Sequence, residues 1–397
     1  MKTNFLFGIA IAATILTSCA EDGTSDIVIN DNSVNTTTTT IGSTTTGETI
    51  LLTGNYTEDL ILDAANEYIL DGPVVMEEGT TIEIPAGMTI KANTGTEVYL
   101  AIAQGAQIIA EGTASQPIVF TSNSNTPNAG DWGGLILLGK APINSVDGIT
   151  ATTATSEIAS LPYGGSDSSD DSGSLSYVRV EYSGGKVDGQ SENNGISFYG
   201  VGDGTKVEYV QVAEGLDDGF EFFGGTVNAS YIAVLNSDDD SIDWTEGYSG
   251  VLTDVYVKQN IDGDKAFECD GFNTDIGNNS DFYSSPEVYN VTIQGLGSAS
   301  GKEAVRLRAG TEVYFENVNI IGYAEGFDID DAQTGVGATN GDLVIDTINF
   351  DDVTTQLKND TGATFPATVL TNVTTETGDS ATTGTDFETW GAGWTKQ

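Results

Sequence analysis

The chain has no histidine and only two cysteines among its 397 residues. Without an imidazole it cannot run Ser-His-Asp or Cys-His catalysis, build a zinc–imidazole site, or switch charge near neutral pH through histidine. Basic residues are scarce too: 13 lysines and arginines face 59 acids, for a formal net charge of −46. A surface that acidic repels phosphate backbones, which excludes nucleic acid as a partner and favours cations, basic partners or a salty medium. No amphipathic helical periodicity of any length is present, so the fold has to be built from strands.

What is present begins with a leader. Lys2 gives a positive start, Phe5 to Leu16 is an apolar stretch too short to span a bilayer, and Leu16-Thr-Ser-Cys19 closes it. Small residues before a cysteine resemble a bacterial lipobox. That resemblance implies a lipoprotein signal peptide at 1–18, cleavage before Cys19, and a lipid anchor on Cys19 that ties the chain to a membrane. Glu21-Asp22 resembles the surface-export tag of Bacteroidota lipoproteins, which implies the outer membrane, facing the cell exterior. Residues 19–47, rich in Ser, Thr, Asn and Gly, cannot bury a core and read as a flexible tether. With Cys19 lipidated, Cys269 has no disulfide partner; in Phe267-Glu-Cys269 it shares a side with Phe267 and reads as a buried apolar residue.

From Val210 to Asp328 one pattern recurs: a β-branched pair, a loop of small and acidic residues, then an apolar–charged–apolar triplet. Val210-Gln-Val212 leads to Phe220-Glu-Phe222, Ile232-Ala-Val234 to Ile242-Asp-Trp244, and Val255-Tyr-Val257 to Phe267-Glu-Cys269. Val291-Thr-Ile293 leads to Val305-Arg-Leu307, and Val318-Asn-Ile320 to Phe327-Asp-Ile329. The anchors step by 22, 23, 36 and 27 residues. Periods near that length mark a stacked solenoid, and alternating triplets make it a β-solenoid. Ile118-Val-Phe120 and Leu135-Ile-Leu-Leu138 are continuous apolar runs suited to a parallel sheet covered on both faces. The regular stack spans 48–340, with polar insertions at 145–174 and 272–286 and a C-terminal capping segment at 341–397 that carries Trp390 and Trp394.

The run Gly112 to Ser122 resembles the opening rungs of secreted parallel β-helix proteins. Gly133 to Leu138, Gly215 to Gly225 and Ser237 to Trp244 extend the likeness to Bacteroidota surface lipoproteins of the pectate-lyase-like superfold. The resemblance implies an all-β fold: a right-handed, single-stranded parallel β-helix with terminal caps. It implies no function.

Stacking the repeats puts the middle residue of each triplet in one column: Glu221, Asp243, Glu268, Arg306, Asp328. Their apolar flankers turn inward, so the column is expected on the outer wall. Carboxylates about 4.8 Å apart repel by about 3.5 kcal/mol at an effective dielectric near 20. The preceding turns add Asp217, Asp218, Asp239, Asp240, Asp262 and Asp264. Three things could offset the repulsion: bound Ca²⁺, which takes six to eight oxygen ligands, screening by water and salt, or basic groups from a partner or from Arg306. The calcium set would be Asp217, Asp218, Glu221, Asp239, Asp240, Asp243, Asp262, Asp264 and Glu268. Catalysis is the competing expectation. Asp239-Asp240 with Arg306-Leu-Arg308 resembles part of the polygalacturonase-type hydrolase signature, but the Gly-His-Gly element is missing and the final Lys is Arg. In an enzyme Arg306, Asp240 and Asp243 would carry the chemistry, with Arg308, Lys265 or Lys302 as further candidate bases for a calcium-dependent polysaccharide lyase. The leading expectation is a non-enzymatic cell-surface binding or structural module whose acidic, calcium-loaded face meets a glycan or a surface protein.

Overall fold

In the computed structural model Val210, Ile232, Val255, Val291 and Val318 stand directly opposite one another on successive parallel strands. The repeat read from the sequence is thus the coil of a right-handed parallel β-helix. Residues 47–145, 152–185, 193–274, 282–378 and 381–397 are described. The expected signal peptide, the expected lipidation site Cys19 and the expected tether, as far as residue 46, lie outside the described residues.

One coil shows how the sequence makes the shape. The strand Asn228–Leu235 pairs on both sides of Tyr231 but not through it. Tyr231 adopts a left-handed φ of 55° and turns the chain from one face to the next. A loop of acids follows, and Ile242–Thr245 forms the third face. Tyr177, Tyr209, Asp254, Asn290 and Asn317 occupy the same corner with φ between 49° and 62°. Aspartate and asparagine tolerate that region through local hydrogen bonds, whereas tyrosine pays about 1–2 kcal/mol for it. At close approaches between coils only glycine fits: a Cβ on Gly219 would sit 2.5 Å from the Ser241 carbonyl oxygen.

The inward flankers Phe220, Phe222, Ile242, Trp244, Phe267, Cys269, Val305, Leu307, Phe327 and Ile329 are fully buried. Phe198 stacks on Phe222 and Phe222 on Tyr248, with ring centroids 5.1 and 4.5 Å apart. Each such side chain contributes about 1.5–3 kcal/mol by leaving water. Their polar handles are satisfied inside the core: the Trp244 indole donates to the Thr311 hydroxyl and Tyr248 to the Val227 carbonyl.

The first insertion, described except for 146–151, folds back onto the outer wall of the third face. Ala154–Thr155 pairs antiparallel with Pro162–Tyr163, and Ile143, Ala154 and Tyr163 build a second, smaller core on Leu138, Tyr199 and Phe223. The Tyr163 hydroxyl donates to the buried Glu246 carboxylate at 2.7 Å. The second insertion, described except for 275–281, is tied to the first: the Asn273 backbone amide donates to the Ser145 hydroxyl at 3.1 Å, and the neighbouring Asn144 side-chain amide donates to the Phe282 carbonyl at 2.8 Å.

The C-terminal boundary differs from the expected one. Strands continue beyond 340, with Leu343–Asn359 pairing onto Val313–Ile329 and Leu370–Thr374 pairing onto it in turn. The last residues do not close the end of the stack. They run back along its side as a strap, where Trp394 is buried with its edge against Tyr177 and Tyr209. The two tryptophans find aromatic partners there, many coils away in sequence. A nine-residue helix, Ala332–Asn340, precedes these strands. It has no apolar stripe; the Asp331 carboxylate starts it by accepting from the Gln333 and Thr334 amides.

Candidate acidic cleft

The triplet column forms in register. Glu221 pairs opposite Asp243, Asp243 opposite Glu268, Glu268 opposite Arg306 and Arg306 opposite Asp328. Ser197 precedes it and Lys358 follows it in the same row. A second row lies three residues earlier, at the mouth of each strand. The Asp240 amide donates to the Asp218 carboxylate at 2.9 Å and the Lys265 amide to the Asp240 carboxylate at 2.7 Å, which sets Asp218, Asp240 and Lys265 one above another. A third row, two residues after the first, holds Phe223, Thr245, Asp270 and Arg308.

Read coil by coil, charge changes sign down the wall. In the Asn194 coil the described residues at the three rows, Asn194, Ser197 and Tyr199, carry no charge. The next two, with Asp218 and Glu221 and then Asp240 and Asp243, are purely acidic. Among the described residues, bases enter only below them. The Lys265 ammonium, almost fully buried, reaches Asp264 at 2.5 Å, Glu268 at 2.9 Å and Asp240 at 3.6 Å. Arg308 bridges Asp270 and Glu268 at 2.5 and 2.6 Å. Lower still, Arg306 pairs with Glu303, and Lys358 with Glu325, Asp328 and Asp360. Among the described residues no base contacts Asp218, Glu221 or Asp243.

These side chains floor a cleft of about 380 Å³ rather than standing on an open wall. Glu157 of the first insertion and Asn273 and Thr274 of the second form its sides. Eight carboxylates line it (Glu157, Asp218, Glu221, Asp239, Asp240, Asp243, Glu268, Asp270) against one guanidinium, that of Arg308. The solvated stripe anticipated from alternation is therefore a recessed one, because the insertions fold over it. Burial raises the pKa of Asp218, Glu221 and Asp243 well above the usual carboxylate range, and repulsion from neighbouring acids raises it further. Burial also raises Asp240, with Lys265 pulling partly the other way. Asp270 is pushed up to about 6, burial outweighing its bond to Arg308. For Lys265 and Arg308 burial favours the neutral form, but the acids around them more than reverse it, and both lie above their ordinary values.

Of the residues singled out in the sequence, Asp218, Glu221, Asp239, Asp240, Asp243 and Glu268 come together in the cleft. Asp217 is buried beside Asp218 and Asp239 but does not line it. Asp264 is turned to solvent and held by Lys265, and Asp262 sits on an exposed turn whose amide is bound by Asn260. Arg306 does not line the cleft either; Arg308 takes the inner place, because the strand end rather than its middle meets the insertions. Asn194, Thr245, Asp270 and Glu157 were not singled out. The first three lie three residues before, or two after, column positions, so alternation could have found them. Nothing in the sequence links Glu157 to this wall.

The donor set suits a hard cation. It contains carboxylate, hydroxyl and amide oxygens and neither imidazole nor thiolate. One oxygen each from Asp218, Glu221 and Asp243 can be chosen within 4.8 Å of one another, as can one each from Asp240, Asp243 and Glu268. Ligands on opposite sides of Ca²⁺ stand about 5 Å apart. Asp243 Oδ1 and Thr245 Oγ1 are buried without a hydrogen-bond partner, groups that are costly to leave so. Asn194 already orients Glu221, donating to Oε2 at 2.5 Å.

Residues 54–395 match the family described as pectate-lyase like beta helix domain. No curated protein and no solved structure matches the chain.

Proposed function

The chain belongs to the pectate-lyase-like beta helix domain family over most of its length, and from that premise we propose that it is a calcium-dependent binding module. The cation sits among Asp218, Glu221 and Asp243, with Thr245 and Glu268 within the same cleft, and presents an electrophilic centre to a glycan or to a surface protein. One observation carries this reading. Asp218, Glu221 and Asp243 meet no base among the described residues, and Asp243 Oδ1 is buried with no partner, whereas the acids below them already have Lys265, Arg308, Arg306 and Lys358. Leaving several buried carboxylates ionised without a counter-charge costs several kcal/mol each, so the cleft either takes up protons or takes up a cation. The Leu16-Thr-Ser-Cys19 run supports a lipid anchor on Cys19, and Glu21-Asp22 supports outer-membrane placement facing the exterior.

The lyase alternative needs a base that can lose its proton. Arg308, the one base among the described lining residues, and Lys265, which pairs with Asp240 and Glu268 beside the cleft, are held charged by the surrounding acids, which argues against it. A hydrolase needs one protonated and one ionised carboxyl group, and the raised Asp218 and Asp243 keep that reading in the test. Chelator-stripped protein is melted with and without Ca²⁺, then applied to immobilised acidic and neutral glycans under both conditions while reducing ends are counted. A calcium-dependent rise in melting temperature with calcium-dependent retention and no new reducing ends is the expected result. Release of reducing ends that is lost in Asp243→Asn would replace the binding module with an enzyme.

A further inference from the structure

We propose that the cleft between the tyrosine ladder and the C-terminal strap is a second binding site, which takes a neutral, hydroxylated sugar ring and works without the cation. Tyr177, Tyr209 and Tyr231 lie at one corner of three successive coils and stack face to face, 4.4 Å apart and within 3° of parallel. All three hold left-handed φ angles, at 49°, 54° and 55°. In the coils below, the corner is filled by Asp254, Asn290, Asn317 and Thr347. Tyrosine there is a costly choice, and strain of this kind gathers where a side chain has work beyond packing. Stacking, at about 0.5–1.5 kcal/mol per pair, offsets only part of it.

The ladder stops abruptly. Ser230 pairs with Thr253 and Ile232 with Val255, so Asp254 occupies the fourth corner opposite Tyr231. Its carboxyl group is shorter than a tyrosine by a phenyl ring, and no parallel ring covers the side of Tyr231 that faces it among the described residues. Across the gap stands the strap. Trp390 meets Tyr231 at 5.7 Å and 66°, and Phe387 lies flat on Tyr256 at 3.9 Å, pinning the strap to the wall. The Thr385 hydroxyl donates to Asp254 at 2.9 Å, and Lys396 is held by Gln211 and Tyr182 further up. What remains between wall and strap is a cleft of about 470 Å³ whose lining includes the three tyrosines, Trp390, Asp254 and Asp386.

The lining chooses the ligand class. Aromatic rings offer faces and edges to the C–H surface of a saturated ring, while carboxylates and tyrosine hydroxyls bind its hydroxyl groups. Among the described lining residues there are two carboxylates and no base, which repels uronates, sulfates and phosphates. A pyranose that stacks at the Tyr231 end of the ladder continues it by one ring, with Asp254 and Asp386 at its rim.

The test follows tryptophan emission, since Trp390 borders the cleft, while cellotetraose, xylotetraose, mannotetraose or laminaritetraose is added to full-length protein in chelator. At least one of the four gives a saturable change. Tyr231→Ala weakens it by about tenfold or more, and Thr389→Arg, an exposed position at the cleft mouth that leaves the ladder untouched, does the same. Asp243→Asn leaves it unchanged, so this site stands or falls apart from the acidic cleft. No saturable change at millimolar sugar, equal binding by Thr389→Arg, or a response to glucosamine and choline but to none of the four neutral sugars would each overturn the assignment.

Discussion

Raising the pH of calcium-free protein should weaken it, which is the reverse of what paired surface carboxylates do. Asp218, Glu221, Asp240, Asp243 and Asp270 all hold protons more tightly in the folded chain than in the unfolded one. Between about pH 4, where unfolded carboxyls titrate, and their raised folded values, the native state therefore binds more protons. Stability is fully present below the unfolded value and is lost as pH climbs through the folded one. Asp270 alone, moved from 3.8 to about 6, contributes a loss of about 3 kcal/mol at about 1.4 kcal/mol per unit. The other four add in the same direction. Asp264 and Asp346, whose values are lowered, act in the opposite sense, but they are more exposed and weigh less. Calcium binds the ionised acids, so its stabilisation, about 2.7 kcal/mol at a hundredfold excess over Kd, grows over the same interval. Urea midpoints between about pH 4.5 and 8, in chelator and in millimolar calcium, read both effects. The chelated midpoint should fall with pH and the calcium midpoint should fall much less or rise. A chelated midpoint that is flat or rising would refute the burial argument for these acids.

Three further outcomes are expected. Lys265→Met strips the counter-charge from Asp240, Asp264 and Glu268; it should cost about 3–5 kcal/mol at neutral pH in chelator, and calcium should restore more stability than it adds to the parent, as paired melts will show. Tyr163→Phe removes the donor to buried Glu246 and should lower the urea-derived stability by about 1.5–3 kcal/mol, the range for hydrogen bonds to charged groups. Gly219→Ala drives a methyl into the Ser241 carbonyl oxygen of the next coil; a loss of about 1–3 kcal/mol from overpacking is expected in the same unfolding assay, with the Asp218–Asp240 spacing disturbed.

The fold was legible because a solenoid writes its contacts as a period. Val210, Ile232, Val255, Val291 and Val318 name the register, and the triplets name both the inward Phe222 and Trp244 and the column of Glu221, Asp243 and Glu268. The cleft was half legible. That Asp218, Asp240 and Lys265 form a row of their own follows from a fixed three-residue offset, yet Lys265 reads from its neighbours as a loop residue. The recess itself was hidden, since Glu157, Asn273 and Tyr163 reach the wall through insertions with no periodicity. The expected end cap failed for the same reason. Trp390 and Trp394 pack on Tyr231, Tyr209 and Tyr177, well over a hundred positions away, and no local pattern encodes that meeting. The helix Ala332–Asn340, with two glycines and no apolar stripe, is announced only by Asp331 and by the left-handed Gly341 that ends it.

Calorimetric titration of calcium into chelator-stripped protein and into Asp243→Asn puts the reading to its hardest trial. A saturable site in the parent that is lost or weakened by about tenfold or more in the variant is the predicted result. A parent that takes up no calcium, or a variant that takes it up equally well, would mean that protons alone quiet these carboxylates.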